Sequence, residues 1–403
     1  MLGSLKIALI ADTFPPLRNS GAVQLRDLAR EFSRQGHELT VILPAADISE
    51  PWVIEDTENY RIIRLQAPRT KDINYFLRTI GEIIMPFAML RNLRRSPLAS
   101  IKWDGVIWYA PSIFHGPLAS ALKKKSGCKG YLIIRDIFPQ WAVDMGLMRR
   151  GLPYLFFSAV ARYQYFVADM IGVQTPGNLQ YFARFQDRPV AKVEVLNNWL
   201  GHPGQASCPI RMSETSLAGR TIFVYAGNMG VAQGMDILLD LAERLLDRAD
   251  VGFLFVGRGS EVPRLKAHVM NRSLSNVLFF DEIHPDEVYN LYSQCHVGIV
   301  ALAANHKTHN IPGKFLTYMQ AGLPVLANIN FSNDLASIIR EEQVGQVCES
   351  NTIDDLLVFA NKLLEDLELD DGFAQRCHCV FERDFSVDKA ARQVVASFGP
   401  HNA

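Results

Sequence analysis

One stretch, residues 303–327 (AANHKTHNIPGKFLTYMQAGLPVLA), limits the possible folds of this chain more than any other. An apolar run at 297–302 precedes it and another at 324–328 closes it, each of a length that suits a buried strand. Between them the pattern predicts a polar loop and a short helix that starts near Pro312 and Gly313 and stops at Gly322. Proline suits the first helical turn, where its missing N–H would go unbonded anyway. Glycine suits the left-handed residue just past the last turn. Strand, loop, helix and strand in this order make a βαβ unit, so the loop opens at the carboxyl edge of a parallel sheet. That loop carries His306, Lys307 and His309, and Lys314 falls in the first helical turn. A helix start has unpaired N–H groups and a partial positive charge, and a lysine there completes an anion site. A solvated loop with a charged cap is the competing reading for these residues taken alone.

The chain opens with a second unit of this kind. LKIALIA reads as a strand, DTFPPLRNSG as a loop at the carboxyl edge, residues 21–35 as a helix ended by Gly36, and HELTVILP as the next strand. Asn19, Ser20 and Gly21 stand where a helix cap is expected and where a ligand could meet the helix start. The loop has no G-x-G-x-x-G, so a dinucleotide site is not indicated. Further on, DGVIWYAP is a strand, His115 lies near the start of the following helix, and YLIIRD is an apolar strand ending in Arg135 and Asp136. Opposite charges at the carboxyl end of a buried strand suit an active site, or equally a structural ion pair. Residues 201–218 lack a periodic apolar pattern and read as an interdomain linker. The pattern then restarts with TIFVYAG, the glycine-rich loop GNMGVAQG, an amphipathic helix and VGFLFVGRG. A chain of 403 residues exceeds one ordinary core. Two Rossmann-like domains are expected, at 1–200 and 219–380, with residues 381–403 as a terminal helix packing back toward the first. Their parallel sheets would face across a cleft that holds the ligand.

Two segments differ in character. Residues 73–102 interleave large apolar side chains with Arg78, Arg91, Arg94, Arg95 and Lys102, and 148–170 repeat the pattern behind Arg149 and Arg150. Such helices fit either an anionic membrane surface or a core with solvated basic ends. No apolar run reaches the roughly 20 residues of a membrane span. A formal net charge of −1 gives no support for broad nucleic-acid binding. The six cysteines show no metal-ligand spacing, and with no visible signal sequence a cytoplasmic setting is expected.

These landmarks together resemble the retaining GT-B glycosyltransferases of family four, over essentially the whole chain. The motifs that carry the resemblance are TFPPLRNSGA, YAGNMGVAQG, VGRG, FFDEIHPDEV and IPGKFLTYMQAGLPVLA, in order. Within that family LIIRDIFPQWAVDMGL, YAGNMGVAQGMD and IPGKFLTYMQAG are most similar to the N-acetyl-L-fucosaminyltransferases of bacterial O-antigen and capsule assembly. The resemblance implies a UDP-sugar donor and a polyprenyl-diphosphate-linked saccharide acceptor. It also implies retention of configuration, no metal and no cofactor, and a site on the inner face of the cytoplasmic membrane. It implies donor contacts from Gly230, Arg258, Ile283, Gly313 and Lys314, acceptor contacts from Asn19, Ser20 and Gly21, and reaction-centre roles for His115, Arg135 and Asp136. Two departures from the family pattern stand out. Asn228 and Gln233 replace the usual diphosphate-binding Arg and Lys, and His309 and Thr317 replace the two glutamates ahead of the A-G-L-P turn. Positive charge must then come from elsewhere: Lys314, with His306, Lys307 and His309 as neighbours, is the best supply, and Arg258 of the VGRG turn is a second candidate. An epimerase or dehydrogenase would need glycines in the first loop that are missing, whereas a non-catalytic partner subunit would tolerate the lost glutamates.

Overall fold

Nearly every strand of this protein is apolar on both faces, which is the mark of parallel sheets covered by helices on either side. The computed structural model describes residues 3–17, 19–183, 191–204, 206–302, 311–331 and 333–399. The chain divides into two compact units, residues 1–201 with 387–403, and residues 202–386.

The first unit is built on eight strands: β1 (Lys6–Ile10), β2 (Glu38–Ala45), β3 (Trp52–Asp56), β4 (Arg61–Gln66), β5 (Gly105–Ala110), β6 (Lys129–Ile134), β7 (Met170–Val173) and β8 (Lys192–Val195). They lie in the order β3-β4-β2-β1-β5-β6-β7-β8, and only β3 pairs antiparallel. The Tyr75–Arg95, Gly116–Ser126 and Leu152–Val167 helices cover one face, through Met85, Met89, Leu118, Leu122, Ala161 and Tyr165. The Ser20–Arg34 helix covers the other with the Val387–Ala396 helix, which joins Ala391 and Val394 to Leu25, Leu28 and Phe32. Val387 N–H donates to the Leu200 carbonyl at 3.0 Å, and Arg34 pairs with Asp388 at 3.2 Å.

The second unit has six strands, all parallel: β9 (Thr221–Ala226), β10 (Val251–Val256), β11 (Val277–Phe280), β12 (Val297–Ala301), β13 (Val325–Asn328) and β14 (Gly345–Cys348). Their order is β11-β10-β9-β12-β13-β14. Much of the stretch read as a linker belongs to this unit. Ile210, Met212 and Leu217 are buried, and Met212 N–H donates to Gln294 Oε1 at 3.0 Å. Three anchors at irregular spacing leave no period to read. The terminal boundary also moves, because the Phe373–Val380 helix and the turn after it stay with this unit, Phe385 packing edge-on to Phe315 at 5.8 Å.

The Gly313–Ala321 helix begins after Pro312 and ends at Gly322 with φ of 74°, as proline and glycine dictate. It is fixed to the sheet by Tyr318, which is fully buried. The pairing of β9 with β12 is short, Val297 opposite Phe223 and Gly298 opposite Val224. The Tyr318 hydroxyl lies 3.1 Å from both the Val224 and the Ile299 carbonyls and can donate to either. Its ring fills the place over Gly298, where a Cβ would come within 2.4 Å of it. Gly298→Ala should therefore destabilise this unit by about 1–3 kcal/mol, the usual cost of overpacking. Tyr318→Phe should cost about 1–2 kcal/mol through a lost buried hydrogen bond. Thermal unfolding checks both, and a Gly298→Ala protein as stable as the parent would contradict this packing.

Candidate functional site

Open parallel sheets bind ligands where the strand order reverses, because loops there leave the sheet in opposite directions and open a crevice. In the second unit the reversal falls between β9 and β12. The loop after β9 and the Gly313–Ala321 helix flank it. His306, Lys307 and His309 lie outside the described residues.

The glycine-rich loop is tied down by its own backbone. The Tyr225 hydroxyl donates to the Asn228 carbonyl at 2.6 Å, and Met229 N–H donates to the Arg258 carbonyl at 2.8 Å. Gly257 and Gly259 adopt φ of 144° and 154°, and a Cβ on either would come within 2.1 Å of a carbonyl of this loop. Gln233 Oε1 accepts from Gly230 N–H at 3.0 Å and from Asn228 Nδ2 at 3.3 Å. The two residues that replace the usual cations thus brace the loop. Arg258 is exposed and paired with Glu282 at 3.3 Å, which offsets its charge, and Ile283 follows in the same loop, half-buried.

Lys314 is differently placed. Its Cε lies 2.8 Å from where a Gly227 Cβ would stand, so only glycine leaves it room. Its Nζ sits 4.6 Å from the centre of the Tyr225 ring, a cation–π contact. Among the described residues no carboxylate pairs with it. Loss of hydration pulls its pKa from the ordinary 10.5 down to about 8. Among the described residues a Cβ on Gly313 would meet nothing within 4 Å. Thr317, one turn on, returns its hydroxyl to the Gly313 carbonyl at 3.2 Å. The arrangement is a poorly hydrated ammonium at a helix start beside a glycine loop, and it suits a multiply charged anion.

In the first unit the reversal falls between β1 and β5. Asn19 caps the Ser20–Arg34 helix, its Oδ1 accepting from Ala22 N–H at 2.8 Å and Thr13 Oγ1 at 2.9 Å, while Ser20 is exposed. Gly21 is needed for space, since a Cβ would lie 3.1 Å from the Tyr109 hydroxyl. His115, at the start of the Gly116–Ser126 helix, is fully buried, and neither ring nitrogen has a partner among the described residues. Burial lowers its pKa while Asp12, at the end of β1, pulls it back up, so the imidazole is neutral near pH 7. Arg135 is buried, stacks 4.2 Å from the centre of the Trp199 ring and donates to the Leu196 carbonyl at 3.2 Å, while Asp136 is exposed and its charge acts on Arg135. Asp12 was not singled out from sequence; its fields on His115, Tyr109 and Glu82 make it the shared neighbour of this edge. Its position directly after the first apolar strand was the available signal.

Away from both edges, Asp240, Glu243 and His268 bring ligand atoms within 4.8 Å of one another, but Glu243 is already held by Arg272 at 2.7 Å.

Comparison with known proteins bears on the fold and the class of enzyme. Residues 220–366 match the sequence model of the family described as Glycosyl transferases group 1. The chain is 22% identical over 373 residues to "Probable glycosyltransferase WbjE" of Pseudomonas aeruginosa, covering 91% of this chain and 90% of that one. It is 25% identical over 383 residues, 86% of each chain, to WcaI of Escherichia coli (strain K12), whose name assigns it to colanic acid biosynthesis as a glycosyl transferase. Among solved structures, Anabaena Alr3699/HepE in complex with UDP-glucose superposes with a TM-score of 0.66 over 98% of this chain and 99% of that chain, at 12% identity. The glycine loop and Lys314 thus lie inside the stretch that matches the group 1 glycosyltransferase model, and the chain is a glycosyltransferase of two parallel-sheet α/β domains with the GT-B fold of its structural neighbours.

Proposed function

We propose that the enzyme transfers a sugar from a UDP-sugar to a polyprenyl-diphosphate-linked saccharide in O-antigen or capsule assembly, the sugar being N-acetyl-L-fucosamine or a related amino sugar. The observation that carries the donor side is Lys314, an ammonium with no carboxylate partner among the described residues, held against Tyr225 at a helix start. As the glycosidic bond breaks, negative charge grows on the departing diphosphate, and a fixed cation in a poorly hydrated site stabilises that charge most. Asn228, Gly230 and Gln233 then serve by shape, keeping the loop backbone close to the phosphates. In the first unit, His115 offers neutral donor and acceptor nitrogens to sugar hydroxyls, and Asp136 offers a carboxylate to the reaction centre. The relatives named above, one of them a colanic acid biosynthesis enzyme, support a polysaccharide setting. Incubating the protein with a panel of UDP-sugars and a polyprenyl-diphosphate–GlcNAc analogue, followed by mass spectrometry, should show one added amino sugar and released UDP. Folded protein that yields neither from any donor would refute the reading.

The membrane side of the proposal rests on the two apolar-aromatic helices of the first unit. Among the described residues no helix is long and apolar enough to cross a membrane. Yet the Tyr75–Arg95 helix exposes Phe76, Ile80, Ile83 and Phe87 at helical spacing, and the Leu152–Val167 helix exposes Leu152, Leu155, Phe156 and Phe166. Both pack beside the Gly116–Ser126 helix on one face of the sheet. Arg91, Arg94, Arg95 and Arg149 are exposed nearby in the chain. Apolar side chains with a cationic rim fit the surface of an anionic bilayer.

Three outcomes follow. Lys314→Met should abolish UDP binding yet raise stability at pH 7 by about 1–3 kcal/mol, because about 1.4 kcal/mol accompanies each pKa unit of depression. The sign is that of a cation protonated less readily when folded: stability rises with pH between about 8 and 10.5, and the gain of the variant fades over that range. A variant that binds UDP as tightly as the parent in calorimetry would remove the site assignment. Secondly, UDP affinity should be flat below pH 8 and weaken above it, and Lys314→Arg should abolish that dependence. Thirdly, replacing Arg91, Arg94, Arg95 and Arg149 by Glu should release the protein from anionic vesicles, at roughly 1 kcal/mol per basic residue, with thermal stability nearly unchanged.

A further inference from the structure

A small apolar cleft, partly open to solvent, lies at the far end of the first unit from its β1–β5 crevice, between the last turn of the Tyr75–Arg95 helix and the second half of the Gly116–Ser126 helix. Its volume is about 130 Å³, and Leu90, Leu93, Leu98, Trp103 and Leu122 form its walls. Leu93, Leu98, Trp103 and Leu122 are buried, so the floor of the cleft belongs to the packed core while its mouth meets solvent. An apolar cleft gains by taking apolar atoms out of water. Its charged lining residues are Arg94 and Lys125, and no acidic side chain lines it. Lys125 Nζ reaches the carbonyls of Ala99 and Ile101, which holds it near the slot.

The surrounding charge is one-sided. Arg91, Arg94, Arg95, Lys102 and Lys124 are exposed, and none has an ion pair among the described residues. Like charges left together cost energy unless an anion answers them. The exposed apolar stripe of the Tyr75–Arg95 helix, Phe76, Ile80, Ile83 and Phe87, continues at helical spacing into Leu90 and Arg94, two residues of the slot. Apolar stripe, apolar slot and cationic rim thus form one continuous surface.

We propose that this slot takes the first few carbons of an acyl chain from an anionic membrane lipid, with Arg94 and Lys125 beside the adjoining headgroup. The proposal rests on the membrane-surface reading given above and adds to it a discrete site for a single lipid. At roughly 30 Å³ for a water- or methylene-sized group, the slot holds about four carbons. Such a site would fix how the domain stands on the bilayer, since a chain in a slot restricts rotation where an apolar face alone does not.

Alkyl phosphates below their micelle concentrations provide the test, titrated calorimetrically into the full chain. Affinity should rise about fourfold per methylene, the step expected for burying one, and level off near four to five carbons. Ala121→Leu, which adds volume to the slot wall from a helical position, should lower hexyl phosphate affinity at least tenfold. Arg94→Gln with Lys125→Gln should do the same without filling the slot. Inorganic phosphate binding as tightly as hexyl phosphate would overturn the proposal, as would hexyl maltoside matching hexyl phosphate or an Ala121→Leu protein indistinguishable from the parent. Flotation with phosphatidylglycerol vesicles separates the two readings. Slot-dependent hexyl phosphate binding in a protein that ignores those vesicles would overturn a lipid as the source and would remove the membrane reading too. Vesicle binding without any hexyl phosphate binding would overturn the slot alone.

Discussion

The account depends on one contact, the Lys314 ammonium over the Tyr225 ring, with no carboxylate to answer it among the described residues. An unpaired, poorly hydrated cation is a standing cost to the fold, and its pKa near 8 measures that cost. Folds keep such groups where a ligand supplies the missing charge. The same tyrosine closes the glycine loop through its hydroxyl, so the ring that steadies the cation and the loop that faces the ligand move as one piece. Tyr318 does the matching work from the helix, filling the gap where β9 and β12 part. Two aromatic residues therefore set the spacing between loop and helix start, which is the dimension a diphosphate would sense.

In the proposed reading, this arrangement lets the domain do without an Arg and a Lys in its glycine loop. Asn228 and Gln233 hydrogen-bond to each other and to the loop backbone, and the cation comes from across the reversal of strand order. Arg258, the second candidate cation, is exposed and pairs with Glu282 at 3.3 Å. A cation anchored on a helix is held more firmly than one on a loop, which favours precise placement over reach.

Much of this was legible in the chain. Pro312 and Gly322 bracket the helix because one residue lacks an N–H and the other tolerates positive φ, both local facts. The two-unit plan was legible because buried parallel strands are continuous apolar runs. What escaped were facts of distance in sequence. Nothing around Lys314 announces Tyr225, and nothing around His115 announces Asp12. Ile210, Met212 and Leu217 anchor a supposed linker at spacings that fit no period. The β3–β4 pair lies at the sheet edge, where β3 is only partly buried, and its residues carry little apolar contrast. The exposed faces of the Tyr75–Arg95 and Leu152–Val167 helices were visible as excess apolarity, but only packing shows which side chains the core leaves uncovered.

The central claim is that Lys314 is the cation waiting for the nucleotide's diphosphate. Nitrogen-15 NMR of lysine side chains, with the Lys314→Arg protein identifying the signal, reads its protonation directly. Without nucleotide the signal should titrate near pH 8, well below the other lysines. With saturating UDP the midpoint should rise by more than one pH unit, because a neighbouring diphosphate favours the charged form. A Lys314 signal that titrates at the same pH with and without UDP would contradict the account.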